Sequence, residues 1–234
     1  MAGLGPSLVL GSAFPAGISR GPPGVATPGV HSFWGSIVNR TVFLVDGFNL
    51  HHSLLDAERV VGRPLQRLDV SSLCASYLYA SPGRRAHLSV VYFTALAHHL
   101  ERRRPGQRAR QMGYLSALRA TGVDVRLGRF KARTLTCPAC GRRFTRFEEK
   151  ETDVALGVRL VEAALLGAFD TLVLISGDSD LVPALAAARR LAPSRTLAVG
   201  LPFGRASLAL EGAVDIALAV KPAAYARHQM SGAS

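Results

Sequence analysis

Apolar residues along the chain fall into two rhythms that alternate from about residue 40 onward. The run Thr41–Val45, inside "TVFLVDGFNL", is continuously β-branched or apolar, as a strand buried on both faces requires, and it ends at Asp46. In "DVSSLCASYLYA" the residues Val70, Leu73, Cys74, Tyr77 and Leu78 recur at helical spacing, and "HLSVVYFTA" then reads as a second strand. "RARQMGYLSALRATG" predicts a helix stopped by Gly122, and "VDVRLGRF" predicts a third strand. An irregular stretch of about 131–147 surrounds two cysteines. It leads to a largely apolar helix, "TDVALGVRLVEAALLG", and a fourth strand, "DTLVLISG". A helix over 180–191, the strand "TLAVGL", a short helix near Arg205 to Leu210 and a last short strand, "VDIALAV", complete the pattern.

Strands alternating with helices imply an α/β fold, a central parallel sheet flanked by helices in one domain over 40–225, with a small Cys-containing insertion. Residues 1–39 are rich in Gly, Pro and Ser without periodicity and read as a disordered leader, and 226–234 as a flexible tail. No apolar run reaches the roughly 18 residues of a membrane helix, and no secretory signal is legible, so a cytoplasmic location is the default expectation.

In parallel α/β sheets, polar residues just after strand C-termini line the crevice where ligands bind. Asp46 follows the first strand, Asp178 and Asp180 follow the fourth, and Asp153 opens the helix that feeds the fourth. If those two strands are neighbours, four carboxylates converge, and a hard cation, Mg²⁺ or Mn²⁺, is needed to keep them ionised together. Ser176-Gly177 is read as the tight turn that places the pair. Singly, Asp46, Asn49, Asp153 and Asp180 also suit helix caps or helix N-termini, so their order along the chain carries more than any one of them.

The segments "FLVDGFNL" and "EKETDVALGVRLVEAALLGAFDTLVLISGDSDLVPAL" resemble the NYN domain, LabA-like branch, a relative of the PIN-like nucleases, over Thr41 to Pro222. The resemblance implies a metal-dependent ribonuclease-like site. Asp46, Asp153 and Asp178 would be metal-binding acids, Asp180 an accessory acid, and Asn49 would orient water or a ligand carboxylate. Some relatives carry an aspartate where this chain has Arg159, a departure that bears on how many ions the site holds and on turnover itself. The rival readings are a non-catalytic nucleic-acid or protein-binding module and a small-molecule enzyme using the same crevice.

Charge adds a partner to this picture. The net charge is +12, and it is segregated: between Arg84 and Arg146 fifteen basic residues face only Glu101 and Asp124, whereas 147–180 holds eight acids against Lys150 and Arg159. A basic surface beside an acidic pocket suits a polyanion, and the resemblance implies that it is RNA, single-stranded in preference to duplex. Arg108 and Arg110 are the candidate phosphate contacts, Gln111 and Tyr114 add polar and stacking capacity, and Lys150 is expected to offset the acids.

Of the three cysteines, Cys74 reads as a small buried hydrophobe. Cys137 and Cys140, in "CPACGRRF", form half of a zinc knuckle, since structural Zn²⁺ takes four ligands. Either His98 and His99 supply the rest, or a second copy does in a homodimer, or the turn binds no metal.

Overall fold

A computed structural model describes residues 38–65, 67–78 and 85–230. In chain order the elements are β1 (Val38–Asp46), α1 (Gly47–Val61), α2 (Val70–Ala75), β2 (Arg85–Ala95), α3 (Gln107–Ala120), β3 (Asp124–Thr136), β4 (Arg143–Lys150) and α4 (Thr152–Leu165). They continue with β5 (Thr171–Ile175), α5 (Val182–Leu191), β6 (Thr196–Leu201), α6 (Leu208–Glu211), β7 (Ile216–Ala219) and α7 (Pro222–Arg227). Short 3₁₀ turns at His98–Leu100 and Ser179–Leu181 follow β2 and β5.

The seven strands lie in the order β4-β3-β2-β1-β5-β6-β7, parallel throughout except for β4, which runs antiparallel to β3. The chain winds outward from β1 through β2 and β3, then returns to the other flank with β5. This reversal makes β1 and β5 neighbours and opens a crevice at their C-terminal ends.

The continuous apolar run of β1 has the physical basis expected of a central strand. Phe43 and Val45 pack with Leu50 and Leu54 of α1, Leu73 of α2, Leu115 of α3 and Tyr225 of α7. On the opposite face, Val42 and Leu44 pack with Leu156 and Leu160 of α4, Leu185 of α5 and Leu210 of α6. Each fully buried side chain of this size contributes about 1.5–3 kcal/mol, so β1 anchors both layers and fixes the position of Asp46 at its end.

Several boundaries differ from the sequence expectation. The first strand begins at Val38, inside the expected leader, and residues 1–37 lie outside the described ones. The helix after Asp69 stops at Ala75, and Ser76 to Leu78 continue as a turn instead of the expected α-helix, with 79–84 outside the described residues. The expected irregular insertion is a regular β-hairpin, with Arg129 opposite Lys150 and Thr136 opposite Arg143. The tail is also not free as far as Met230: Leu68 bridges Gln229, Met230 N donates to Arg67 O (2.8 Å), and Ser72 Oγ meets His228 Nδ1 at 2.8 Å. Residues 231–234 lie outside the described ones. Among the described residues no helix is long and apolar enough to cross a membrane.

Candidate metal centre and nucleic-acid surface

Asp46 is 3% exposed and held from two sides. Its Oδ1 accepts from Asn49 N at 2.9 Å, which caps α1, and its Oδ2 accepts from Ser176 Oγ at 2.9 Å. Ser176 Oγ in turn accepts from Asp178 N (3.0 Å), and Asn49 Oδ1 accepts from Gly177 N (3.1 Å). Two side chains at the end of β1 thus clasp the loop after β5. Capping and site-building are one arrangement here, because the same carboxylate does both.

Asp178 caps the following 3₁₀ turn through Oδ1, which accepts from Asp180 N at 3.0 Å. Asp180 supplies only this N–H to the cap, and its residue is exposed at the mouth of the crevice. The cap expected of Asp180 therefore belongs to Asp178. Gly177 does not adopt a left-handed conformation. It is glycine for lack of room, since a Cβ there would meet the carbonyl oxygen of Arg205 and lie 2.6 Å from its Cβ. Gly47 has the same reason: a Cβ would stand 2.5 Å from Phe93 O and 2.7 Å from Tyr92 Cζ.

Asp153 sits in the first turn of α4. The helix is entered through Glu151, which takes φ +82°, a left-handed conformation costly for a residue with a Cβ. Arg129 pairs with Glu151 at 2.6 Å, and Glu149 Oε1 accepts from Thr152 N (3.1 Å) and from the Thr152 hydroxyl. Gly128 of β3 lets this junction close, since a Cβ would lie 2.8 Å from Lys150 O.

The acids sense one another. Desolvation, followed by the charges of Asp46, Glu149, Asp178 and Asp180, pushes the Asp153 carboxyl up to about 6. Burial raises Asp46, against hydrogen bonds that lower it and with Asp178 raising it further. The donor set is all oxygen, as Mg²⁺ or Mn²⁺ prefers. Among the described residues, however, no three His, Cys, Asp or Glu side chains already stand close enough together to hold an ion. The carboxylates are within electrostatic reach without being closed to ligand spacing. Arg159 contributes nothing to them; it leans on Glu162 at 3.7 Å, and its buried Nε has no hydrogen-bond partner.

Residues expected to meet RNA divide into two groups. Arg108 and Arg110 are exposed on the first turn of α3, where Glu101 accepts from Arg108 N (2.8 Å) and orders the turn. Tyr114 and Gln111 are structural. The Tyr114 hydroxyl donates to Leu68 O (2.9 Å) while its ring packs on the core, and the Gln111 amide bonds Ala95 O and Ala97 N. Tyr114 therefore offers no free stacking face. Lys150 pairs with Glu148 at 3.3 Å and, by strand alternation, points to the opposite side of the hairpin from Glu149. It does not offset the acid cluster.

Cys137 and Cys140 occupy the hairpin tip. Cys137 N donates to Arg142 O (2.9 Å), Gly141 N donates to Cys137 O (2.9 Å), and Gly141 takes φ +68° to complete the turn. The N–H groups of Cys140 and Ala139 hold the Cys137 thiol below its ordinary value. His99 cannot join them. Its ring stacks on Phe147 with centroids 4.3 Å apart, and Phe147 lies opposite Ala132. Five extended residues, roughly 17 Å, separate Ala132 from Cys137, and neighbouring His98 is equally remote. Recruitment of either histidine by the knuckle is excluded in this conformation.

Sequence reasoning missed Ser176 as the hydroxyl that joins Asp46 to Asp178, and Glu149 as the acid seated beside Asp153. The serine was visible in "SGDSD" as the polar residue closing an apolar strand. Glu149 was visible only as one of several hairpin acids.

A solved structure, that of a protein of unknown function from Vibrio parahaemolyticus RIMD 2210633, shares the fold. It is 19% identical, with a TM-score of 0.55 over 80% of this chain and 96% of that one. No curated protein matches the sequence significantly. The family model of the NYN domain matches residues 40–220, which spans β1 to the end of β7 and contains every acid of the crevice. The chain belongs to the NYN domain family.

Proposed function

We propose that this chain is a metal-dependent ribonuclease that cleaves single-stranded RNA at the crevice between β1 and β5. The observation that carries this reading is the set of Asp46, Asp178 and Asp153 at the topological switch point of an NYN fold, where burial first and then the neighbouring carboxylates push Asp153 up to about 6. Asp46, Asp153 and Asp178 would hold Mg²⁺ or Mn²⁺. When bound, the ion supplies a water of lowered pKa and positive charge beside the scissile phosphate. Asn49 keeps the Gly177 N–H engaged and so fixes the loop that aims Asp178. Asp180, exposed at the mouth, is available as a proton acceptor or donor for groups entering from solvent. The test is cleavage of labelled single-stranded RNA with Mn²⁺ or Mg²⁺, abolished by EDTA. A second reading, binding without turnover, is favoured by Arg159, a cation at a position where the family resemblance implies an aspartate in some relatives. It predicts RNA retention with no cleavage under any metal.

Arg108 and Arg110 would grip the RNA backbone rather than read bases. Replacing both by Ala is expected to weaken binding about equally across sequences, and to flatten the salt dependence by roughly 0.7 log unit per lost phosphate contact. Filter binding at several salt concentrations measures this slope. An unchanged slope removes these two residues from the interface and favours a small substrate.

For the hairpin tip, two thiolates per chain and no histidine in reach leave a second copy as the source of the other ligands. The expected result is one zinc per two chains and a dimer. Cys137→Ser should release the zinc and yield monomers that still cleave RNA. Elemental analysis with light scattering decides it: one zinc per monomer, or none in either species, overturns the shared site.

A further inference from the structure

Beyond the end of β2, the free edge of β3 faces the 3₁₀ turn at His98–Leu100 across a cleft of about 340 Å³. It is lined by Leu96, His99, Leu127, Phe130 and Phe147, among others. The pairings Phe130–Glu149 and Ala132–Phe147 put both phenylalanines on one face of the hairpin. His99 lies nearly parallel to Phe147 (centroids 4.3 Å, 7° between planes) and edge-on to Phe130 at 4.6 Å. These rings form a platform, and Phe147 keeps 41% and Leu127 45% of their surface exposed. An open apolar and aromatic patch of this kind marks a binding surface.

Three further observations define the occupant. The platform is continuous with the acid crevice: Phe48, two residues after Asp46, packs edge-on to Phe130 at 5.8 Å, and Glu149, opposite Phe130, abuts the Asp153 turn. Its surroundings are cationic, with Arg129 on its wall and Arg103 close enough to lower the pKa of His99, behind burial as the larger cause. His99 Nδ1 is buried without a hydrogen-bond partner, so no hydrogen bond at that atom ties the ring to the protein. Apolar rings next to arginines, leading into a carboxylate site, are the chemistry of single-stranded nucleic-acid binding.

Resting on the ribonuclease reading, we infer that the His99–Phe147–Phe130 cleft is a base-stacking subsite. It holds one unpaired nucleobase of an RNA strand whose phosphate backbone runs on into the acid crevice. The site grips through stacking, so it tolerates any base and requires an unpaired one.

The test compares a labelled mixed-sequence single-stranded RNA with the same strand carrying abasic sugars at successive positions, all in the Asp178→Asn background to prevent cleavage. Phe147→Ala is expected to weaken binding of the intact strand by about 5- to 150-fold, the range of a lost base–aromatic stack, with an unchanged salt slope because no phosphate contact is lost. Phe147→Trp should restore affinity. One abasic position should weaken the Phe147-containing protein by a similar factor and leave the Phe147→Ala protein unaffected. Near-equal affinities of the Phe147-containing and Phe147→Ala proteins for intact RNA overturn the subsite, as does an equal loss on intact and abasic strands. Either result leaves the ribonuclease reading standing. Failure of the Phe147-containing protein to bind RNA under any metal overturns both.

Discussion

If the proposed ribonuclease site is the acid crevice, Asp46→Asn and Asp178→Asn are each expected to lower RNA cleavage by at least about 100-fold while the protein stays folded. Loss of a group that merely orients a metal ligand typically costs 10- to 100-fold, and these two are proposed as the ligands themselves. Folding should survive because asparagine caps a helix as well as aspartate does: in Asp46→Asn the new amide oxygen can still accept from Asn49 N, and the Ser176 hydroxyl can rotate to meet the amide nitrogen. Stability should rise without metal. Burial raises the Asp46 pKa, and burial plus neighbouring carboxylates raise Asp153 to about 6. The native state therefore binds these protons more tightly than the unfolded chain. Metal-free protein gains stability as pH falls, fully below the unfolded value of 3.8, and loses it as pH rises through about 6. Added Mn²⁺ should accordingly raise the unfolding temperature more at pH 8 than at pH 5, where protons compete for the same oxygens. Thermal unfolding with and without Mn²⁺ at both pH values, together with gel-based cleavage, tests the set. Cleavage at the unsubstituted rate by both variants would sink the metal-centre assignment.

Much of this architecture could be read from contiguous residues. Thr41–Val45 had to be a central strand because nothing in it suits solvent, and the "DGFN" and "SGDSD" segments lie at strand ends whatever the strand order. The hairpin was hidden for a physical reason. Most of β3 beyond Val125 and nearly all of β4 are at least partly exposed on both faces, with Arg, Lys and Glu scattered on either side, so the two-residue period has no contrast between buried and open positions. Tyr114 was misjudged for the converse reason. An aromatic at helical spacing gives no sign of which face is buried, and Leu115 and Leu118 draw that side of α3 onto the core. His99 and Phe147, 48 residues apart, meet only because the hairpin folds back beside the 3₁₀ turn.

The segregated charge also gains a structural explanation. The arginines of 102–110 follow the turn that carries His99, and those of 126–146 lie on or next to the hairpin that carries Phe130 and Phe147; of these, Arg129 lines the aromatic cleft. Hairpin acids are consumed locally, in the pairs Arg129–Glu151, Arg133–Glu148 and Lys150–Glu148. Such exposed pairs add little stability. Among the described residues no ion pair engages the crevice acids, as the proposed metal centre would require.

Gly177→Ala tests whether packing behind the crevice sets its geometry. The added methyl group would collide with the Arg205 carbonyl oxygen and lie 2.6 Å from the Arg205 Cβ, and both belong to rigid parts of the chain rather than to a flexible side-chain end. Arg205 is itself restrained, because its guanidinium pairs with Asp56 of α1 at 2.9 Å. The strain has two outlets, the Pro202–Arg205 turn or the loop bearing Asp178, and relief through the loop would break the Gly177 N–H bond to Asn49. Overpacking of this kind costs about 1–3 kcal/mol, and cleavage should fall with it, because Asp178 moves relative to Asp46. Gly157→Ala is the matched control. It lies inside α4 with only the Ala184 Cβ near, at 3.6 Å, so it should stabilise by roughly 0.5–1 kcal/mol and leave cleavage unchanged. Chemical denaturation and single-turnover cleavage separate the two effects. A Gly177→Ala protein of unaltered stability and activity would mean that the Arg205 turn yields freely, and that the crevice is positioned by the Asp46–Ser176–Asp178 hydrogen bonds alone.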